Sequence, residues 1–119
     1  MLTFHHYSKE RRAVLDPKYC GSAKQGKEKL RTAVPSICLY HPEGEVEREF
    51  MNYMLHVVYL PDDSLYDLSA DPSNYLRGGD FSLAERRIKR AGYWGYWLPT
   101  GLGLFKGQAR LYRKVTLEH

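Results

Sequence analysis

The segment His5-His6-Tyr7-Ser8 holds the densest set of side chains that could do chemistry. Its short, alternating, partly aromatic pattern predicts a strand, so His6 and Ser8 should project from the same face. An imidazole and a hydroxyl placed in this way can hold a sugar hydroxyl or an amide through one donor and one acceptor. The alternative is structural, with one histidine exposed, the other packed, and Ser8 ending the strand.

A loop containing Gly21, Ser22 and Gly26 is the second candidate, because lysines are interleaved with its small residues. Backbone amides in such a loop could reach an anion. The loop lacks the phosphate-loop spacing, since no Gly-Lys-Ser or Gly-Lys-Thr follows a glycine after four intervening residues. A solvated loop without a ligand is the alternative.

A cationic helix surface formed by Arg86, Arg87, Lys89 and Arg90 is the third candidate, and it could bind phosphates or simply face water. The histidines and cysteines show no paired spacing of the kind that metal sites use. The order of serines, histidines and acids also does not indicate a nucleophilic triad. The sequence therefore favours binding chemistry over metal or serine catalysis.

A helix followed by an aromatic strand must position these groups. Ser82 and Glu85 have the spacing of a capping box, and Gly92 stands where a helix usually ends, which predicts a helix over Ser82 to Ala91. The aromatic segment Tyr93 to Trp97 predicts a strand, and the turn Pro99-Thr100-Gly101 reverses the chain. We expect this helix to pack through Ala84 and Ile88 across a sheet that includes the first strand.

The remaining elements indicate a mixed α+β domain, because strands and short helices alternate without a regular period. The predicted elements are strands near residues 2–8, 36–40, 53–60, 102–105 and 111–115, with short helices near 27–32 and 45–50, the last being alternatively an exposed loop. Residues 65–72 are predicted to be a polar connection with apolar anchors. The expected fold is one compact domain, residues 1–116, with a mostly antiparallel mixed sheet and short helices.

Length and composition limit the class of protein. The 119 residues fit one domain, and the formal charge of +4 favours phosphates or anionic surfaces without reaching the density of a dedicated nucleic-acid coat. Cys20 and Cys38 are expected to be reduced thiols, which together with the absence of an apolar leader predicts a cytoplasmic protein that does not enter membranes. The final residues 117–119 resemble an expression-tag remnant and are excluded from the expected fold.

Four segments occur in this order in one known family. They are Phe4-His5-His6-Tyr7-Ser8, Leu15-Asp16-Pro17-Lys18-Tyr19-Cys20-Gly21-Ser22, Ile37-Cys38-Leu39-Tyr40 with Pro42-Glu43-Gly44, and Ile88-Lys89-Arg90-Ala91-Gly92-Tyr93-Trp94-Gly95-Tyr96. In these segments the chain resembles the ADP-ribosyltransferase-like domains of phage and prophage proteins. The resemblance spans most of the chain, and the order and spacing of the segments carry it.

The resemblance implies that NAD is the substrate and that six residues bind it. His6 would contact the nicotinamide-side ribose, Ser8 would lie beside it, and Tyr40 would stack on the nicotinamide. The mouth of the pocket would be lined by Tyr19, Gly21 and Ser22. Loss of nicotinamide leaves an oxocarbenium-like sugar, so a clamp on both ends of the dinucleotide would strain the scissile bond and fix the acceptor.

The family's late-strand glutamate, which holds a ribose hydroxyl and stabilises positive charge on the sugar, has no counterpart here. The matching segment reads Gly101-Leu102-Gly103-Leu104-Phe105, and Gln108 beyond it cannot supply a negative charge. An active enzyme would need its acid from elsewhere, such as Glu43 or Glu45.

Two classes of function follow from these residues. The chain is either a transferase that places ADP-ribose on a protein or nucleic acid, or a module that binds a nucleotide without the reaction. The missing glutamate favours the second. A third hypothesis is a basic protein- or nucleic-acid-binding module that uses the surface Arg86 to Arg90 and exposed aromatic residues. The sequence leaves the acceptor and the oligomeric state open.

Overall fold

A computed structural model of the chain describes residues 1–18, 34–44, 52–101 and 106–117. Within these ranges it forms eight strands and one α-helix. The strands are β1 (Leu2–Ser8), β2 (Val14–Leu15), β3 (Ile37–Tyr40), β4 (Met54–Leu60), β5 (Leu65–Asp67), β6 (Gly95–Trp97), β7 (Gln108–Leu111) and β8 (Val115–Thr116), and the helix is α1 (Phe81–Arg90). The result is a compact α+β domain, as the sequence predicts.

Six of the strands form one sheet in the order β4-β1-β3-β7-β6-β5, and β2 pairs with β8 in a separate ribbon. The sheet is mixed and mostly antiparallel, since only β5 and β6 run parallel. The connection between these two strands contains α1, which provides the crossover that parallel neighbours require. The predicted joining of the first strand and the aromatic strand in one sheet is confirmed.

The sheet has two different faces, because partners directly across a ladder project to the same side. The core face carries side chains such as Phe4 and Leu39 and is covered by Leu15 of β2 and by Leu117. The opposite face, here called the helix face, carries Tyr96, against which α1 packs. Even-numbered residues of β1 therefore lie on the core face, and odd-numbered residues lie on the helix face.

Helix α1 begins one residue earlier than the sequence predicts and is capped differently. Asp80 is the N-cap, and its carboxylate accepts a hydrogen bond from the amide of Leu83. Ala84 and Ile88 are fully buried, which confirms the predicted packing face. The capping-box role for Ser82 and Glu85 is wrong, because Glu85 lies one turn into the helix on its buried side.

The segment predicted to be a polar connection contains a strand. Residues Leu65–Asp67 form β5, which pairs in parallel with β6 and completes one edge of the sheet. The strand is only three residues long and is followed at once by turns, so its sequence carries little periodicity. The burial of Leu65 and Tyr66 on opposite faces shows that both sides of this edge are covered.

The other predictions agree in part. The predicted strand over 111–115 is wrong, because β7 ends at Leu111 and β8 begins at Val115, and β2 was not predicted. β1, β3 and β4 lie where strands are predicted, whereas β6 occupies only the last three residues of its predicted range. Leu117, which the sequence analysis excludes from the fold, is buried in the core, and its amide donates to the carbonyl of Ala13 at 2.8 Å. The predicted elements near 27–32, 45–50 and 102–105 lie outside the described residues.

Candidate functional site

His6 and Ser8 lie on the same face of β1, as their spacing predicts. The register pairs His6 with His56 and Ser8 with Met54 on β4. The imidazoles of His6 and His56 are 6.2 Å apart between ring centroids. His6, Ser8 and His56 therefore form one cluster on the core face, here called the histidine cluster, at the end of β1.

His6 is held by a backbone carbonyl of the neighbouring strand. Its Nδ1 lies 2.8 Å from the carbonyl oxygen of Cys38. A carbonyl only accepts, so Nδ1 carries the hydrogen, and Nε2 keeps its lone pair when the ring is neutral. Burial lowers the pKa of His6, and nearby His56 and Arg12 act in the same direction, against the opposing effect of the Cys38 hydrogen bond. At neutral pH the ring is a neutral acceptor.

Ser8 and His56 are linked, but not as a nucleophile and its base. The Ser8 hydroxyl donates to the carbonyl of Glu10, and the same oxygen lies 2.8 Å from Nε2 of His56. A hydroxyl has one hydrogen, so Nε2 of His56 must be the donor to Ser8. A histidine that donates to serine cannot remove its proton, so this arrangement does not activate Ser8.

A cavity of about 390 Å³ opens beside the histidine cluster. It is lined by Arg11, Met54, Leu55 and His56. Arg11 is exposed to solvent and His56 is buried, so the cavity joins a cation at the surface to a polar group inside. Apolar walls with a few convergent polar groups are typical of sites for small molecules.

Tyr40 does not join the histidine cluster. It pairs directly with His5, and its ring lies 5.8 Å from that of Tyr7, which places it on the helix face. The predicted convergence of His6, Ser8 and Tyr40 on one concave site is therefore wrong. The physical reason is the alternation of side chains along β1, which puts the partners of His5 and of His6 on opposite faces.

Three further residues of the predicted site, Tyr19, Gly21 and Ser22, lie outside the described residues, as does Glu45. Glu43, the other proposed source of an acid, follows β3 in the turn Pro42–Gly44. Because β3 is antiparallel to β1 with Tyr40 opposite His5, this turn lies toward the start of β1. Ser8 is at the other end of that strand, roughly 20 Å away at about 3.3 Å per residue. Glu43 therefore cannot serve the histidine cluster.

Sequence reasoning did not assign His56 and Arg11 to the site. His56 belongs to β4, where positions 56, 58 and 60 are buried and positions 55, 57 and 59 are exposed. The sequence did contain a signal for His56: it is a histidine at a buried position of an otherwise apolar strand. A buried imidazole needs polar partners, so this pattern indicates a polar cluster. Arg11 follows the strand in an exposed charged segment, and nothing in its spacing indicates a cavity.

A second polar group lies on the helix face. Glu85 is fully buried and accepts a 2.9 Å hydrogen bond from the hydroxyl of Tyr96. Burial, followed by the nearby Glu85 carboxylate, raises the pKa of Tyr96 well above its usual value. Burial alone would lower the pKa of Arg110, but Cys38, Tyr96 and other neighbours outweigh it and the pKa is raised. This group is closed to solvent and holds α1 on the sheet.

The predicted cationic surface is only partly available. Arg86, Lys89 and Arg90 are exposed and are here called the cationic face of α1. Arg87 is used within the fold, because its guanidinium donates to the carbonyl of Tyr75 at 2.7 Å.

Comparison with known proteins gives no relative: no protein-family model matches the chain, and searches of curated proteins and of solved structures found no match. Among the described residues, no group of three or more histidine, cysteine or acidic side chains is placed to hold a metal ion. The helix that these residues contain is too short and too polar to cross a bilayer.

Proposed function

We propose that the chain is a nucleotide-binding module, a variant of the ADP-ribosyltransferase-like domains it resembles, with NAD or a related nucleotide such as ADP-ribose as its ligand. The observation that supports this most is the shared cavity of Arg11 and His56, with His56 bonded to Ser8. Nucleotides carry phosphates and ribose hydroxyls, and this end of β1 offers a partner for each.

Each group has a chemical role in this proposal. The guanidinium of Arg11 pairs with a phosphate through charge-assisted hydrogen bonds. His6 is not among the residues that line the cavity, but its ring lies 6.2 Å from that of the lining residue His56. We assign its Nε2 the role of accepting from a ribose hydroxyl, because its Nδ1 is committed to Cys38. Met54 and Leu55 supply the apolar wall. Stacking on Tyr40 has no part in this mode, since that ring is on the helix face.

Binding without transfer is the expected activity. Stabilising an oxocarbenium-like sugar requires a negative charge close to it. The late segment Gly101 to Phe105 has no acid in its sequence, and Glu43 lies at the far end of β1 from the histidine cluster. We therefore expect NAD to bind without release of nicotinamide or modification of an acceptor protein or nucleic acid.

The test is calorimetric titration with NAD and with ADP-ribose, using two adjacent histidines on opposite faces of β1. His6→Ala should weaken binding by roughly tenfold or more, because a ligand hydroxyl loses its buried partner. His5→Ala is the matched control, since His5 is the adjacent residue on the opposite face, and it should leave the affinity unchanged. Arg11→Gln should also weaken binding while leaving the fold intact, because Arg11 is exposed.

The proposal fails if neither nucleotide binds at millimolar concentration. It also fails if His5→Ala and His6→Ala weaken binding equally, because that would remove the histidine cluster from the site. Incorporation of labelled ADP-ribose into an added protein or nucleic acid would contradict the absence of transfer.

A second candidate function, binding of single-stranded nucleic acid, is favoured by the cationic face of α1. These three cations share the helix with one acid, Glu85, which is buried and bonded to Tyr96. Three exposed positive charges on one helix can neutralise phosphates and release their counterions. Arg113 lies over the ring of Trp94 at 3.9 Å, and such aromatic surfaces can also stack on bases.

Fluorescence anisotropy with a labelled single-stranded oligonucleotide distinguishes the two functions. Binding through α1 should weaken as salt increases, and the double variant Arg86→Gln, Arg90→Gln should reduce the slope of log K against log salt by about one to two. Arg11→Gln is the control for loss of charge, since it removes a positive charge from the proposed nucleotide site and leaves α1 unchanged. Unchanged affinity of the α1 double variant for the oligonucleotide would exclude this function. Loss of NAD binding in the same variant would contradict the assignment of the two ligands to separate sites.

A further inference from the structure

We propose that Trp94 and Arg113 form a base-stacking subsite for single-stranded nucleic acid, in which a nucleobase adds to the guanidinium that already lies on the indole. This inference rests on the second candidate function, because it names the place where a strand attracted by the cationic face of α1 is held through its bases. It does not involve the histidine cluster or the cavity beside it.

The first observation is the uneven distribution of charge along the chain. Of its 18 lysines and arginines, eight fall in residues 86–117, whereas none of its 14 aspartates and glutamates does. The remaining residues carry ten basic and fourteen acidic side chains, so the net charge of +4 understates how basic residues 86–117 are. Charge asymmetry of this kind favours contact with phosphate-bearing partners.

The second observation is a stacked pair at the surface of this basic part. The guanidinium carbon of Arg113 lies 3.9 Å from the centroid of the Trp94 ring, and Arg113 is exposed while Trp94 is half-buried. The electrons of an aromatic ring attract a planar cation and hold it over the ring. Aromatic rings and arginine planes are the surfaces on which unpaired bases stack. The pair offers both surfaces in one place.

The backbone of the sheet fixes the position of the indole. The amide of Trp94 donates to the carbonyl of Ser64 at 2.9 Å, and the amide of Tyr112 donates to the carbonyl of Trp94 at 2.7 Å. The ring itself packs against the buried core of the sheet. A preorganised surface loses little conformational entropy when a ligand binds. Only the side chain of Arg113 therefore needs to adjust to a base.

The stacked pair lies close to the cationic face of α1. Arg90 ends α1 and Trp94 follows four residues later, so their Cα atoms are at most about 14 Å apart. Arg86 lies one turn before Arg90 on the same side of the helix. Lys114, which is also exposed, directly follows Arg113. A strand with one base on the stacked pair therefore has exposed cations within reach of its neighbouring phosphates.

Stacking on this pair predicts which bases bind best. It depends on the overlap of planar surfaces and does not need a particular hydrogen-bonding edge, so every base is accepted. A purine covers more of the guanidinium and the indole than a pyrimidine does. We therefore expect a modest preference for purines and a larger loss of affinity when the base is absent.

Anisotropy titrations with labelled hexamers that can bind in only one register test this subsite. Each hexamer has an abasic sugar-phosphate backbone, with one central adenine, one central thymine or no base at all. All three carry the same phosphates, so their affinities differ only through the base. The wild-type protein should bind the adenine hexamer most tightly and the abasic hexamer about tenfold more weakly.

Arg113→Lys separates stacking from charge, because lysine keeps the positive charge but lacks the planar guanidinium. In this variant the preference for the adenine hexamer over the abasic one should fall to about twofold or less, while the slope of log K against log salt stays the same. Lys114→Gln is the matched control, since it should lower that slope by about one and keep the tenfold preference. Both residues are exposed, and circular dichroism checks that both variants keep the fold.

Three results would overturn the inference, and they separate it from the function on which it rests. If the wild-type protein binds all three hexamers equally while Arg86→Gln, Arg90→Gln weakens them, phosphate contacts alone account for binding and the second candidate function stands. If no hexamer or longer oligonucleotide binds even at low salt, that function fails as well. If polyglutamate displaces the adenine hexamer at equal charge concentration, the partner is an acidic protein.

Discussion

The hydroxyl of Tyr96 donates a 2.9 Å hydrogen bond to the carboxylate of Glu85, and both side chains are buried between α1 and the sheet. The contact joins the second turn of the helix to the strand on which the helix packs. A carboxylate in such a place is retained only where donors compensate for its lost hydration. The contact is therefore a stabilising link between the helix and the sheet.

Replacing Tyr96 with phenylalanine should lower the free energy of unfolding by about 1–3 kcal/mol, because the buried carboxylate loses a donor while the ring is kept. Urea denaturation followed by circular dichroism measures the change. Tyr112→Phe is the control, since within the described ranges the Tyr112 hydroxyl donates to a backbone carbonyl, that of Glu85 at 3.5 Å, rather than to the carboxylate. Equal losses in the two variants would contradict the special role of the carboxylate contact.

Gly95→Ala should be strongly destabilising. A Cβ at this position would lie 1.9 Å from the carbonyl oxygen of Arg110, so β6 and β7 would have to separate. We expect a loss of about 3 kcal/mol or more in unfolding free energy, at the upper end of overpacking effects. Gly79→Ala provides the comparison, since Gly79 has a φ of 76° with open space around it and should cost about 1–2 kcal/mol. A larger loss at Gly79 than at Gly95 would overturn this interpretation.

Stability should fall as the solution is acidified through the histidine range. The pKa of His6 in the fold lies below its ordinary value of 6.5, so the unfolded chain binds more protons between the two values. The stabilisation is fully present above about pH 6.5 and is lost as the pH falls through the folded pKa. Urea midpoints between pH 8 and pH 5 measure this.

His6→Gln should flatten that pH profile, because glutamine can still donate to the Cys38 carbonyl but does not titrate in this range. His5→Gln should flatten it less. The pKa of His5 is also lowered, by its burial and by His41, but His5 is less deeply buried than His6, so its charged form loses less hydration on folding. A profile that is unchanged in the His6 variant would show that this residue does not control acid stability.

Cys38 is a buried free thiol in the described part of the chain, and we expect it to be shielded from reagents in the native state. Thiol titration of the native protein should be slow at Cys38. Denatured, unreduced protein should give two thiols, since Cys20, which lies outside the described residues, is also expected to be reduced. A count of zero would show that the two cysteines are paired.

The local sequence pattern was sufficient to predict the helix and three of the strands. Helical spacing identified Ala84 and Ile88 as the packing face, and apolar runs identified β1, β3 and β4. The capping-box prediction was wrong because Glu85 could either cap the helix or accept a buried hydrogen bond. It accepts from the hydroxyl of Tyr96, eleven positions away in the sequence. β5 was not predicted because its pairing with β6 depends on the crossover through α1 rather than on its own three residues.

The site was harder to predict for a geometric reason. The pairing of His6 with Ser8 depends on the period of one strand, which the sequence contains, and that part is confirmed. Whether Tyr40 shares their face depends on the register between β1 and β3, and a shift of one residue reverses the answer. The sequence between these strands does not determine that register, so the nicotinamide-stacking role could not be tested without the fold.

The placement of β1 and β3 in the sheet also governs how a nascent chain can fold. β1 is synthesised first, yet its neighbours β3 and β4 come much later, and β3 needs β7, near residue 110, as its other neighbour. Ladders that close such long loops form slowly, because chain entropy is lost before the contacts are gained. A chain still on the ribosome and lacking β7 therefore has β3 open on one side. We expect protease resistance to arise only after synthesis has passed Leu111, in a single late step.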